Sequence, residues 1–175
     1  SPDIMERRER LFSMGISVEI GGHSDKIFNA DLWVLSPGIP QDADIVLNAK
    51  EKGIPVIGEI EFASWFTQDP IVALTGSNGK TTSVHLLTEM CATENLSPAL
   101  SGNVGTAFSE VILMDLRDKP THRVHILEIS SFQMEYIVHF KPYISIYLNI
   151  TPDNLDRYPG MDEYVQAKMN MIENQ

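Results

Sequence analysis

Short apolar runs recur along the chain, each followed by a turn and then by a stretch with helical spacing of its apolar positions. A run of roughly four to eight apolar residues closed by Gly, Pro or Ser reads as a buried strand. By that criterion strands are predicted at 31–35, 54–57, 71–75, 98–101, 123–128 and 143–149, with a shorter one at 17–20. Helices are predicted over 3–14, 41–52, 60–66, 80–94, 106–114 and from Met161 to the end. Gly53 is placed to stop the second of these, because only glycine readily takes the left-handed conformation that closes a helix. The last helix brings Met161, Tyr164, Val165, Lys168, Met169 and Ile172 near one face. Regular alternation of strand and helix points to parallel sheets joined by crossover helices, so the expected class is α/β. Gln68-Asp69-Pro70 is the best linker, dividing the chain into units at 1–69 and 70–175. The chain opens on Ser1 and goes directly into a helix, and the second unit ends inside one. Both features lead us to expect a piece of a longer protein.

Composition narrows the partners. Thirteen Lys and Arg against twenty-four Asp and Glu give a net charge of -11, which disfavours general binding to a nucleic-acid backbone. Hydrophobic residues make up 43% and charged residues 21%, as in soluble globular chains rather than disordered ones. No apolar run approaches the roughly 18 residues of a membrane span. The single cysteine, Cys91, excludes an internal disulfide and a Cys-built zinc site. The five histidines form no ligand pattern; His122 and His125 are expected on opposite faces of one strand approach.

The strongest chemical signal is Thr75-Gly76-Ser77-Asn78-Gly79-Lys80-Thr81-Thr82, between an apolar strand and a helix. Glycines let backbone N–H groups turn inward, and the helix N-terminus adds partial positive charge, so the segment suits a phosphate. Lys80 supplies a full charge, and the Thr81 hydroxyl is positioned to ligate Mg²⁺. The match to G-x-x-x-x-G-K-[ST] is imperfect, because Leu74 stands where the first glycine belongs. The competing reading is a plain Gly-Ser-Asn turn ahead of an ordinary helix. An acidic chain holding a triphosphate must gather positive charge locally, from backbone dipoles, Lys80 and a divalent metal.

Glu128 ends a strand, and ligands of open parallel sheets lie beyond strand carboxyl ends. A Mg²⁺-holding carboxylate and a solvated strand end are both open readings. Ser130, Ser131 and Gln133 follow; they suit a polar substrate or the cap of the next helix. The segment 149–158 carries Asp153, Asn154, Asp156 and Arg157 at another strand end, either as a site loop or as an Asx-rich turn.

Together these segments resemble the Mur ligases. The matching stretches are Ser36-Pro-Gly-Ile39, Gly58-Glu-Ile-Glu61, Thr75 to Thr82, Gly102-Asn-Val-Gly105, Glu128-Ile-Ser-Ser-Phe-Gln133, Asn149 to Tyr158 and Ala167-Lys168. The resemblance is to the branch that joins D-glutamate to UDP-N-acetylmuramoyl-L-alanine, with Glu-Ile-Ser-Ser-Phe-Gln as the discriminating stretch. It implies an incomplete Rossmann-like, UDP-sugar-binding domain over 1–69 and a truncated P-loop ATPase domain over 70–175, with the amino-acid-binding domain absent. It implies a monomeric cytoplasmic enzyme of peptidoglycan synthesis that uses ATP and Mg²⁺, without nucleic acid or membrane. The piece taken alone is expected to be inactive.

By the same resemblance, Gly76, Ser77, Asn78, Gly79, Lys80, Thr81 and Thr82 hold ATP. Lys80, Asn103, Glu128 and Lys168 serve catalysis. Ser36, Pro37, Gly38, Ser130 and Gln133 contact the UDP-sugar substrate. Thr81, Glu128, Asn154 and Lys168 hold metal. Asn154 departs from the family's usual histidine but still offers an amide oxygen, which suits Mg²⁺. Lys168 is implied to be carbamylated, because an ammonium cannot ligate Mg²⁺ and a carbamate can; read alone, a helical lysine is usually solvated. Two alternatives are a folylpolyglutamate synthase-like ligase and a nucleotide-binding module without catalysis.

Overall fold

A computed structural model describes residues 2–93, 95–151 and 158–175. The chain is α/β with two parallel sheets. The first has two strands, β1 (Trp33–Leu35) and β2 (Val56–Gly58), connected through helix α2 (Asp44–Glu51). Gly53 takes φ +75° just past α2; its N–H bonds to Lys50 O and that of Ile54 to Ala49 O, so glycine does stop this helix. Helix α1 (Pro2–Ser13) precedes the sheet and leaves Ile4 and Leu11 exposed, as is Met14 in the turn after it.

The second sheet positions the site. Its strands are β3 (Ile71–Thr75), β4 (Ser97–Gly102), β5 (Arg123–Glu128) and β6 (Ile144–Tyr147), in the order β4-β5-β3-β6 and all parallel. Helices α4 (Lys80–Cys91) and α5 (Phe108–Asp118) make the crossovers β3 to β4 and β4 to β5. The short α6 (Ser131–Met134) lies between β5 and β6. Every residue of β3 is buried, as a central strand covered on both faces must be. Strand alternation splits its side chains. Ile71 and Ala73 join Leu127, Phe108 and Ile112 on one face, while Val72 and Leu74 join Ile126 and Val84 on the other. Helix α3 (Glu59–Ser64) adds Ile60 and Ala63 to the first of these clusters.

Glu61 on α3 is fully buried, and its carboxylate accepts the N–H groups of Val138, His139 and Phe140 at 2.8–3.0 Å and the Trp65 indole N–H at 2.8 Å. A buried carboxylate survives because these donors replace its water. It ties α3 to the segment entering β6.

Several sequence expectations need correction. Residues 17–20 form no strand: among the described residues none pairs with the segment to complete its backbone hydrogen bonds. The final helix, α7 (Met161–Met169), passes into a 3₁₀ turn at Asn170–Ile172. Its buried face is Tyr164, Ala167, Lys168 and Met171, whereas Met161, Val165, Met169 and Ile172 are only partly buried. Tyr164 and Lys168 lie on the packed face as expected, and Ala167 and Met171 complete it in place of Val165 and Ile172. His122 is not a strand residue; it takes φ +55° in the turn before β5.

His125 is wholly buried in β5, with its ring edge-on to Phe108. Burial lowers its pKa, opposed by Asp115 and Asp69 and reinforced by Arg123.

Candidate phosphate and metal site

Parallel strands deliver their carboxyl ends to one edge of the sheet, and four loops meet there. The loop after β3 runs into α4, whose N-cap Gly79 takes φ +83°. Among the described residues, the N–H groups of Gly79, Lys80, Thr81 and Thr82 make no hydrogen bond, as expected for a first helical turn. A cavity of about 380 Å³ opens over them, lined by Ser77 to Thr82, Asn103 and Glu128. The Lys80 ammonium folds back over the loop, donating to Gly76 O at 2.8 Å and Ser77 O at 3.0 Å.

Glu128 faces this loop from the end of β5 and is 2% exposed. Thr81 Oγ1 donates to its Oε2 at 2.8 Å and Asn103 Nδ2 to its Oε1 at 2.8 Å. Both carboxylate oxygens are thus oriented by side chains from two other elements. Asn103 is brought there by Gly102, at φ +101°, and by its own N–H bond to Glu128 O at 2.8 Å. The donor set suits Mg²⁺: a hydroxyl and a carboxylate are hard oxygen ligands on one side of the cavity. Among the described residues no cluster of three His, Cys, Asp or Glu could hold a metal. That is compatible with Mg²⁺, which commonly keeps waters and phosphate oxygens as its remaining ligands.

Lys168 lies beneath the loop rather than in the cavity lining. Its Nζ donates to Thr75 Oγ1 and Gly76 O, each at 3.2 Å, and lies 4.8 Å from the centre of the Tyr164 ring. It is 2% exposed, so it is no solvated surface lysine. Asn154, with Asp153, Asp156 and Arg157, lies outside the described residues.

The proposed substrate residues fall on a different flank. Ser36, Pro37 and Gly38 form the turn after β1, closed by Ile39 N–H to Ser36 O at 3.1 Å. Ser130 caps α6 in a capping box with Gln133, whose Oε1 accepts the Ser130 N–H at 3.0 Å. The helix-cap reading of this stretch is therefore realised. Pro37 and Gln133 line one narrow crevice with Gly58 and Tyr136. Tyr136 joins the two sheets' surroundings: its hydroxyl donates to Ile39 O at 3.1 Å, and its carbonyl accepts the Gly58 N–H at 3.1 Å.

The comparisons with known proteins bear on this arrangement. The Mur ligase middle domain matches residues 74–175, which takes in the loop, Glu128 and Lys168. The chain belongs to the Mur ligase family. Among curated Mur ligases it is 41% identical over 170 residues to UDP-N-acetylmuramoylalanine–D-glutamate ligase of Christiangramia forsetii, covering 96% of this chain and 37% of that protein. It is 44% identical over 171 residues to the enzyme of that name from Salinibacter ruber, covering 94% and 36%. The chain thus spans a little over a third of these relatives' length. In fold it is similar to a solved Mur ligase, UDP-N-acetylmuramate:L-alanyl-gamma-D-glutamyl-meso-diaminopimelate ligase from Neisseria meningitides. That likeness has a TM-score of 0.56 at 16% identity, over 95% of this chain and 56% of that one.

Two residues at the Mur ligase loop were not singled out from sequence. Asn149, just beyond β6, and Tyr164 on α7 both contact Ser77. Asn149 carried a faint signal, an amide at a strand's carboxyl end. Tyr164 carried none, because an aromatic at helical spacing reads as core.

Proposed function

We propose that this chain is the nucleotide-handling part of an ATP-dependent ligase that adds D-glutamate to UDP-N-acetylmuramoyl-L-alanine in peptidoglycan synthesis, in the cytoplasm. In this reading residues 1–69 contribute to the UDP-sugar side and 70–175 to the ATP side. The observation that carries it is the pairing of Thr81 and Asn103 on Glu128 opposite the open amides of Gly79 to Thr82. The names of the relatives supply the substrates.

The chemistry places three anions together: a triphosphate, the alanyl carboxylate and the second amino acid. The carboxylate attacks the γ-phosphorus, ADP leaves, and the resulting acyl phosphate is attacked by the amine of D-glutamate, releasing phosphate. Phosphoryl transfer depends mostly on positioning and charge stabilisation. The free amides of the first α4 turn cradle phosphate oxygens, and Lys80 swings from Gly76 O and Ser77 O onto the transferring group. Glu128 and Thr81 would hold Mg²⁺, which when bound would supply positive charge against the charge that develops on the transferring group. Asn103 keeps Glu128 aimed while its amide borders the reacting groups. Ser36, Pro37, Gly38, Ser130 and Gln133 would orient the UDP-sugar.

Calorimetric titration of this chain with Mg·ATP, with the UDP-sugar and with a folate tests the reading. Binding of Mg·ATP and of the UDP-sugar is expected. Folate binding would favour a folylpolyglutamate synthase-like ligase, and ATP binding alone a nucleotide module.

Lys168 we propose to be carbamylated and to hold a second Mg²⁺ with Asn154. The ammonium first gives up one proton; the neutral amine then adds to the carbon of CO₂, an N–C bond forms as one C–O π bond opens, and a second proton leaves, so a cation becomes an anion. Supplying ¹³C-bicarbonate should give a carbamate resonance in this chain that Lys168→Met lacks. Identical spectra for the two would remove the modification from the reading.

A further inference from the structure

The first half of the phosphate loop is not free to meet an anion. Strand β6 runs parallel to β3, with Tyr147 opposite Thr75 and the Leu148 N–H bonded to Thr75 O at 3.0 Å. Asn149 therefore emerges beside Ser77. Its carboxamide Oδ1 accepts the N–H of Asn78 at 2.9 Å and that of Ser77 at 3.1 Å. Its Nδ2 donates back to Asn78 O at 3.0 Å. Its backbone carbonyl also accepts the Ser77 N–H at 3.1 Å. One side chain thus pairs with both polar groups of Asn78, much as a neighbouring strand would. Thr151 adds to the brace, since Ser77 Oγ donates to its carbonyl and accepts its N–H, both at 2.9 Å.

This arrangement accounts for the departure at Leu74. The loop is too short in glycine to wrap an anion with every amide. The amides of Ser77 and Asn78 are instead satisfied from outside, and those of Gly79 to Thr82 are left open. Resting on the nucleotide-binding reading above, we infer that Asn149 is a positioning residue: it holds the phosphate loop in register with β6 so that only the α4-side amides face the phosphates. The chemistry is specific to Asn. Ala supplies neither bond. Asp accepts both N–H groups but cannot donate to Asn78 O, and it sets a negative charge next to the loop that must receive an anion.

The test compares this chain with Asn149→Ala and Asn149→Asp by Mg·ATP titration, thermal melting and amide hydrogen exchange. In Asn149→Ala, exchange at Ser77 and Asn78 should accelerate while the core strands stay protected. Mg·ATP affinity should fall about tenfold or more with little change in melting temperature. Asn149→Asp should keep the two amides protected yet bind at least as poorly; if the alanine variant does not fold, this variant carries the test. Unchanged affinity in both variants, with Lys80→Met defective, overturns the role of Asn149 and leaves the ATP reading standing. A wild-type chain that does not bind Mg·ATP overturns both.

Discussion

Lys80→Met lowers the affinity of this chain for Mg·ATP by roughly a hundredfold or more while leaving its fold intact. Among the described residues lining the cavity Lys80 is the one cation, and it shares that cavity with the carboxylate of Glu128, in a chain of net charge -11. Without Lys80 the triphosphate of Mg·ATP has no full positive charge from these lining residues beyond its own Mg²⁺, only the partial charges of the helix end. Methionine keeps the aliphatic stem and loses only the ammonium, so packing is conserved. The ammonium's present bonds, to Gly76 O and Ser77 O, are on a partly exposed edge where water replaces them. Titration calorimetry with a matched thermal melt checks this. Affinity within about threefold of wild type would mean that the loop is a turn and not a phosphate site.

Gly102→Ala is expected to be among the most damaging single substitutions, at about 3 kcal/mol or more. Two constraints coincide there. The backbone sits at φ +101°, which an L side chain rarely adopts, and an added Cβ would lie 2.3 Å from Glu128 O. That oxygen is backbone, held by the Asn103 N–H, so no flexible group can yield. The ends of β4 and β5 would have to part, and with them Asn103 would leave Glu128. The melting temperature should fall sharply, and Mg·ATP binding should fall with it. A melting curve within about 2 °C of wild type would show that the close approach is not required.

The element series was legible because its physics is local. Ile71–Thr75 and Arg123–Glu128 are strands at the predicted bounds, since buried apolar runs admit little else. The loop at 75–82 was legible for the same reason: glycine torsions and a helix start are written in adjacent residues. Helix ends were blurred, as at α5, which begins at Phe108 and not at 106, because capping energies are small beside packing.

What the sequence by itself determined is therefore the class, most of the strand series and the loop proposed to hold phosphate. What only the tertiary structure decided is the pairing across segments: Glu128 with Thr81 and Asn103, Asn149 with the loop, Lys168 beneath it. Strand order brings these together, and strand order is a property of long-range packing that no local pattern encodes. A lone glutamate, asparagine or lysine has the same letters in solvent as in a site; the neighbours that give each its chemistry are 25 to 93 positions away in the chain.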